Sequence, residues 1–284
     1  FFIPRMLINL VSGNISIKYG LKGMNFSVVA ACASSANALI DALNYIRLGK
    51  ADAIAVGGAE AAITEIGIGA FGAMKALSER NDDPKTASRP FDKNRDGFVM
   101  GEGAGCMIVE SLAHAQKRGA KIYAEFVGGA MNADAYHITA PNPTGESIID
   151  VMNEALEDAN LNTTDISYIN VHGTSTPLGD VAEINAIRTV FAEHVYDLNI
   201  SATKSMTGHL LGAAGIVEAI FSVLAVKHNI VPPTINHFTD DEDFDKKLNF
   251  TFHQKQEKEI KAVLSNNFGF GGHNASVVFK KFSN

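Results

Sequence analysis

The chain has 284 residues, 46% hydrophobic and 19% charged, with glycine at 25 positions, which suits one large or two ordinary globular domains with a sizeable core. A net charge of −7 with no basic run argues against nucleic acid or an anionic membrane as partner. Two cysteines, Cys32 and Cys106, build no disulfide framework and fit a reducing, cytoplasmic location, and neither a signal peptide nor an apolar stretch long enough to span a bilayer stands out.

In chain order, the opening Phe-Phe-Ile-Pro lacks an initiator Met and reads as the interior of a longer or processed chain. Residues 24–31 read as a buried strand. A helix follows from Cys32, with Ala36, Leu39, Ile40, Leu43 and Ile46 at helical spacing and Gly49 where a C-terminal cap belongs. Residues 53–57 read as a second strand, so the first sixty residues make a strand–helix–strand unit with a parallel pair. Further strands are expected at 104–110 and 122–129, then a polar loop over 131–146 and a helix at about 147–159. A strand at 166–171 leads to a helix at about 179–192 with Ile184, Ile187 and Phe191 on one face. From Gly212 to Val226 almost no polar face remains, which predicts a buried helix, and Glu218 inside it needs partners. The last strands are expected at 260–266 and 275–281.

Cys32 follows an apolar strand and starts a helix, where free N–H groups and a partial positive charge favour a thiolate. The competing reading is a small buried hydrophobe. Cys106, in Ala-Gly-Cys-Met-Ile-Val, reads as a core residue. His172 ends an apolar strand before a Gly/Thr-rich loop, where active sites of α/β sheets gather; a capping histidine competes. His209 precedes the apolar helix with Lys204 close in sequence; a solvated loop competes. Asn267–Asn274 is a glycine-rich turn that either connects two strands or brings amides to a developing anion. Two other matches fail in context. Gly67–Gly72 fits a dinucleotide fingerprint without a preceding strand, and the run from Asp92 starts like a calcium loop but has Gly103 at its twelfth position.

Taken together, Ala31-Cys-Ala-Ser-Ser35, Arg89–Gly103, His172-Gly-Thr-Ser-Thr-Pro177, Lys204-Ser-Met-Thr-Gly-His209 and Gly269-Phe-Gly-Gly272 resemble, in order and over the whole chain, the elongating β-ketoacyl-[acyl-carrier-protein] synthases. The Gly101-Glu-Gly-Ala-Gly105 stretch leans toward the type II enzyme of the dissociated bacterial system. The resemblance implies an α/β, thiolase-like fold: a five-layer αβαβα sandwich of two similar halves, usually a homodimer. It implies that the N-terminal part of the first half is absent from this chain, so that sheet edges and core are exposed. Residues 1–121 are then the rest of the first half, carrying the nucleophile, and 122–284 the second half, carrying both histidines.

Carried over by motif, Cys32 takes the acyl group from a carrier-protein thioester. His172 and His209 flank the malonyl carbonyl and support decarboxylation. The resulting enolate attacks the acyl-Cys32 thioester in a Claisen condensation. The amides of Cys32 and Phe270 form the oxyanion hole, and Phe270 also gates Cys32. Lys204 tunes the field at the histidines together with Asp180 and Glu183, Glu218 organises the network beneath, and Thr174 and Thr176 contact the phosphopantetheine arm. Lys75 docks the acyl carrier protein. No metal or redox cofactor is implied, since the substrates ride on phosphopantetheine. His273 stands where the most familiar pattern has Thr and is read as a brace for the turn. A thiolase would need a second cysteine beyond Cys106, and an initiating synthase an Asn in place of His209. A polyketide-type ketosynthase, an inactive truncated fragment, a non-catalytic chain-length factor and a cysteine hydrolase remain as alternatives.

Overall fold

The computed structural model describes residues 2–283. Two short helices, α1 (Ile3–Met6) and α2 (Leu10–Tyr19), precede α3 (Ser34–Arg47), β1 (Ala53–Glu60), α4 (Glu65–Ala73), β2 (Gly103–Glu110) and α5 (Leu112–Lys117). There follow β3 (Glu125–Ala133), α6 (Glu146–Asp158), β4 (Ile166–Asn170), α7 (Pro177–Phe191), β5 (Asn199–Ser201), α8 (Lys204–Thr207) and α9 (Ala214–His228). Strands β6 (Ile230–Val231), β7 (Gln256–Glu257), β8 (Ala262–Gly269) and β9 (His273–Lys280) complete the chain.

The centre is a five-stranded mixed sheet in the order β3-β9-β8-β4-β5, in which β4 runs parallel to β5 and β8, and β9 antiparallel to β3 and β8. The period-2 alternation of its strands separates two cores. Leu264 and Val278 join the side chains of α6 and α7 on one face, while Val263, Val277 and Phe279 join α3 and α9 on the other. Beyond α3 and α9 lies the antiparallel pair β1–β2, whose inward Val56 and Val109 complete the second core. The chain therefore supplies four layers in the order αβαβ.

Local signals explain most of these elements. Ala36, Leu39, Ile40 and Leu43 of α3 are buried, and Gly49 just past its end has φ +66°. Pro177 starts α7, where its missing N–H and fixed φ cost nothing. From Leu211 to His228 the chain is long and apolar enough to cross a bilayer by length and composition, unlike the expectation above, but more than half of it is buried between the sheets. Leu224 alone of its large apolar side chains is exposed.

Other expectations are corrected. Residues 24–30 form no strand, and Met24, Phe26 and Val29 are exposed; an extended segment without a hydrogen-bonding neighbour cannot bury its backbone. The parallel pair is accordingly absent, and β1 pairs antiparallel with β2. Cys106 is exposed rather than core, because β2 is covered on one face only and Ala104, Cys106 and Ile108 point the other way. The polar loop begins later than expected, since β3 continues to Ala133 by pairing with His273.

Candidate active site

Cys32 lies in a 3₁₀ turn (Ala31–Ala33) ahead of α3, reached through a left-handed residue, Ala31, at φ +46°. Ser34 knits this turn: its hydroxyl donates to Ala31 O (2.7 Å) and accepts from Ala30 N–H (2.9 Å). Gly269 at the end of β8 closes on it so tightly that a Cβ there would lie 2.6 Å from Ala30 O and 3.0 Å from Cys32 N. A second 3₁₀ turn, Leu211–Ala213, introduces α9 with the same left-handed first residue, Leu211 at φ +47°. The two buried helices thus begin alike, with Cys32 and Gly212 at equivalent positions.

His209 precedes the second turn and is held by two backbone bonds to the 99–101 segment, His209 N–H to Val99 O (2.7 Å) and Gly101 N–H to His209 O (2.9 Å). Its Nε2 lies 3.0 Å from Cys32 Sγ, and Phe98 meets its ring edge-on at 5.4 Å. His172, at the C-terminal end of β4, has its ring 5.2 Å from that of His209 and perpendicular to it. The Nδ1 atoms of both rings are buried without a hydrogen-bond partner among the described residues. Burial first, and the Lys204 charge second, hold both imidazoles well below the ordinary histidine pKa, so both are neutral at pH 7.

The expectation of a readily ionised Cys32 is corrected. Desolvation pushes its thiol up to about 11, against the lowering influence of Lys204 and of the Phe270 and Cys32 amides. Those amides face the sulfur, as an oxyanion hole requires, but burial wins. The thiol proton therefore needs an acceptor in contact, and His209 Nε2 is that acceptor.

Lys204 and Glu218 form a buried ion pair (Nζ to Oε1, 2.5 Å), and Asn267 Nδ2 donates to Glu218 Oε2 (2.7 Å). Burial raises the Glu218 carboxyl while Lys204 opposes the rise. Asp180 and Glu183 do not touch Lys204. Glu183 accepts the amides of His172 (2.8 Å) and Gly173 (2.9 Å), and Asp180 those of Phe91 and Ser175 (3.1 Å each), with Arg95 3.6 Å away. Both carboxylates thus hold the backbone of the 172–176 loop. Thr174 and Thr176 place their hydroxyls 3.1 Å apart on that loop.

Cys32, His172, His209, Thr174 and Thr176 line a cleft of about 1750 Å³ that also contains Glu60, Phe71 and Phe98 and runs out along the exposed side of β1, whereas Lys204 and Glu218 lie buried behind it. Phe270 lines the same cleft as Cys32, with its ring 6.4 Å from Phe71. Lys75 is exposed on the cleft rim at φ +54°, and His273 is exposed beside Gly271. The two rejected motifs have structural uses: Gly67 and Gly69 lie inside α4, and Asp92 spends its carboxylate on the amides of Asn94, Phe238 and Thr239. Sequence reading gave no role to Glu60 or Phe71, which reach the site only through the tertiary packing.

The family models described as Beta-ketoacyl synthase, N-terminal domain and C-terminal domain match residues 1–115 and 123–238. The 3-oxoacyl-[acyl-carrier-protein] synthase 2 of Coxiella burnetii is 50% identical over 281 residues, covering 99% of this chain and 67% of that protein. A type II polyketide ketosynthase, solved with its acyl-carrier protein and bound to a hexaketide, superposes with a TM-score of 0.95 at 36% identity, covering 98% of this chain and 68% of its own. A β-ketoacyl synthase from Burkholderia phymatum gives 0.93 at 38% identity, covering 99% and 67%. The chain spans about two thirds of the length of these relatives.

Proposed function

This chain belongs to the β-ketoacyl synthase family, and from that membership we propose that it catalyses decarboxylative condensation of malonyl-[acyl-carrier-protein] with a Cys32-bound acyl chain, giving 3-oxoacyl-[acyl-carrier-protein] in fatty acid elongation. The observation that carries the reading is the 3.0 Å contact between Cys32 Sγ and His209 Nε2 at the base of the cleft. A thiol this buried ionises only as it reacts, so His209 takes its proton while Sγ attacks the acyl thioester. The departing phosphopantetheine thiol leaves with that proton. Malonyl thioester then loses carbon dioxide, and the electrons of the broken C–C bond become an enolate. Neutral His172 donates a hydrogen bond to its oxygen, and His209 joins it in the tautomer that carries its proton on Nε2, so neither ring needs a net charge. The enolate carbon attacks the Cys32 thioester, the Cys32 and Phe270 amides hold the tetrahedral oxyanion, and collapse expels the Cys32 thiolate, which regains its proton from solvent by way of His209.

In this reading Lys204 acts through its field while tied to Glu218, Thr174 and Thr176 meet the phosphopantetheine arm, and Lys75 contributes to docking the carrier protein. The working unit is a cytoplasmic homodimer, and no metal or redox cofactor takes part. Fatty acid elongation is favoured over polyketide work by the 50% identity to the synthase 2 relative against 36% to the polyketide ketosynthase.

The test is incubation of the protein and of Cys32→Ala with acyl- and malonyl-carrier protein, followed by mass spectrometry of products and of the intact chain. Acylated wild type with 3-oxoacyl product, and neither from the variant, is the expected result. If wild type stays unacylated, the experiment is repeated on the whole gene product, and failure there overturns the mechanism.

A further inference from the structure

Glu60 ends β1 within the active-site cleft and has no part in the chemistry above. Its Oε2 accepts the amide of Gly212 at 3.1 Å, in the turn that follows His209 and is the counterpart of the Cys32 turn. A second tie lies beside it: Ser35 Oγ, in the first turn of α3, accepts the amide of Ile216 at 2.9 Å. Both amides belong to the start of the α9 segment, where N–H groups have no partner inside the helix. The gap is narrow, since a Cβ on Gly212 would lie 3.2 Å from Glu60 Oε2 and 3.8 Å from Ala31 O. Gly58 allows the approach: a Cβ there would meet Ser35 Cβ at 2.8 Å and Gly212 O at 3.1 Å. The end of β1 is therefore wedged between the two turns, and Glu60 is the side chain that joins them.

We propose that Glu60 is a positioning residue for the Cys32–His209 pair, clamping the Gly212 turn so that the loop carrying His209 stays in contact with the sulfur. This rests on the reading of Cys32 and His209 as nucleophile and base. The charge has a second consequence, because Glu60 raises the Cys32 pKa where Lys204 lowers it. The groups facing Cys32 are these two by charge, His209 in contact, and His172 beyond it. The clamp and the charge are separable. Gln keeps an oxygen for the Gly212 amide and removes the charge; Ala removes both.

The experiment compares wild type, Glu60→Gln and Glu60→Ala, each in a Cys106→Ala background so that Cys32 is the sole thiol. Two quantities are read: the pH profile of Cys32 alkylation by iodoacetamide, and the elongation rate. Both variants are expected to shift the alkylation profile to lower pH. Glu60→Ala is expected to lose elongation kcat by about tenfold or more, as misplacement of reacting groups does, and Glu60→Gln to recover it to within a few-fold. An alkylation profile that moves in neither variant overturns the proposal. So does Glu60→Ala elongating at the wild-type rate, or Glu60→Gln falling as far as Glu60→Ala. The alkylation result is independent of condensation, so a wild type that alkylates normally yet never elongates sinks the functional reading instead.

Discussion

Cys32 sits among opposed influences, with desolvation raising its thiol and Lys204 lowering it less. Alkylation of Cys32, followed by intact mass with Cys106 replaced, should therefore rise with a midpoint near pH 11. Lys204→Met should move that midpoint higher, because a favourable positive charge is gone; an unmoved or lowered midpoint contradicts the field assigned to Lys204. The same substitution leaves Glu218 buried without its cation, which costs about 3–5 kcal/mol in comparable sites. Urea unfolding of Lys204→Met against Lys204→Met/Glu218→Gln separates the two effects, since the second change should recover much of the lost stability. The contact between Sγ and Nε2 explains how a thiol with so high a pKa can react near neutrality: the proton moves a single hydrogen-bond length.

At the scale of elements, the site is built by the ends of β1, β4 and β8 and the starts of α3 and α9. Gly269 is a tight junction, because any side chain there meets the Cys32 turn. Gly269→Ala should cost about 1–3 kcal/mol as an overpacked site and abolish Cys32 acylation, both measurable on the purified variant; normal acylation would mean that the turn has room to move. Helix α7 gives a pH signature. Burial raises the Glu183 carboxyl to about 7 from an ordinary 4.5, and Asp180 to about 6 from 3.8. Between pH 4.5 and 7 the folded chain holds a proton on Glu183 that the unfolded chain has released. Stability from this group is thus complete below 4.5 and lost as pH rises through 7. Urea midpoints at pH 5 and pH 8 should show the wild type losing stability across that interval and Glu183→Gln losing less; an equal loss in both removes Glu183 as the cause.

For the molecule as a whole, the exposed side of β1–β2 decides how the chain behaves. Ile108 is 58% exposed and its neighbour Val109 only 9%. Ile108→Ala should therefore change stability by no more than about 0.5 kcal/mol, while Val109→Ala should cost about 2 kcal/mol. Thermal or urea unfolding distinguishes them, and equal costs would mean that another surface covers this sheet in solution. Met24, Phe26 and Val29 leave apolar surface open along the cleft, and Ile108 adds more on the exposed side of β2. Surfaces of this kind mark sites of association.

Periodicity and local chemistry alone placed α3, α6, α7 and α9 and the strands β1, β2, β4, β8 and β9 within a few residues, because a helix or a strand with one buried face writes that face into its own segment. The ordered motifs around Cys32, His172, His209 and Gly269 likewise point to the family. Tertiary structure alone decided which strands pair, since 24–30 and β2 are equally apolar in sequence but only β2 meets a partner. It also decided the ionisation of Cys32, because desolvation depends on every atom around the sulfur and not on its position before a helix. The partners of Lys204, Asp180 and Glu183, and the reach of Glu60 to Gly212 across 152 residues, were set the same way: contacts distant in sequence leave no local pattern to read.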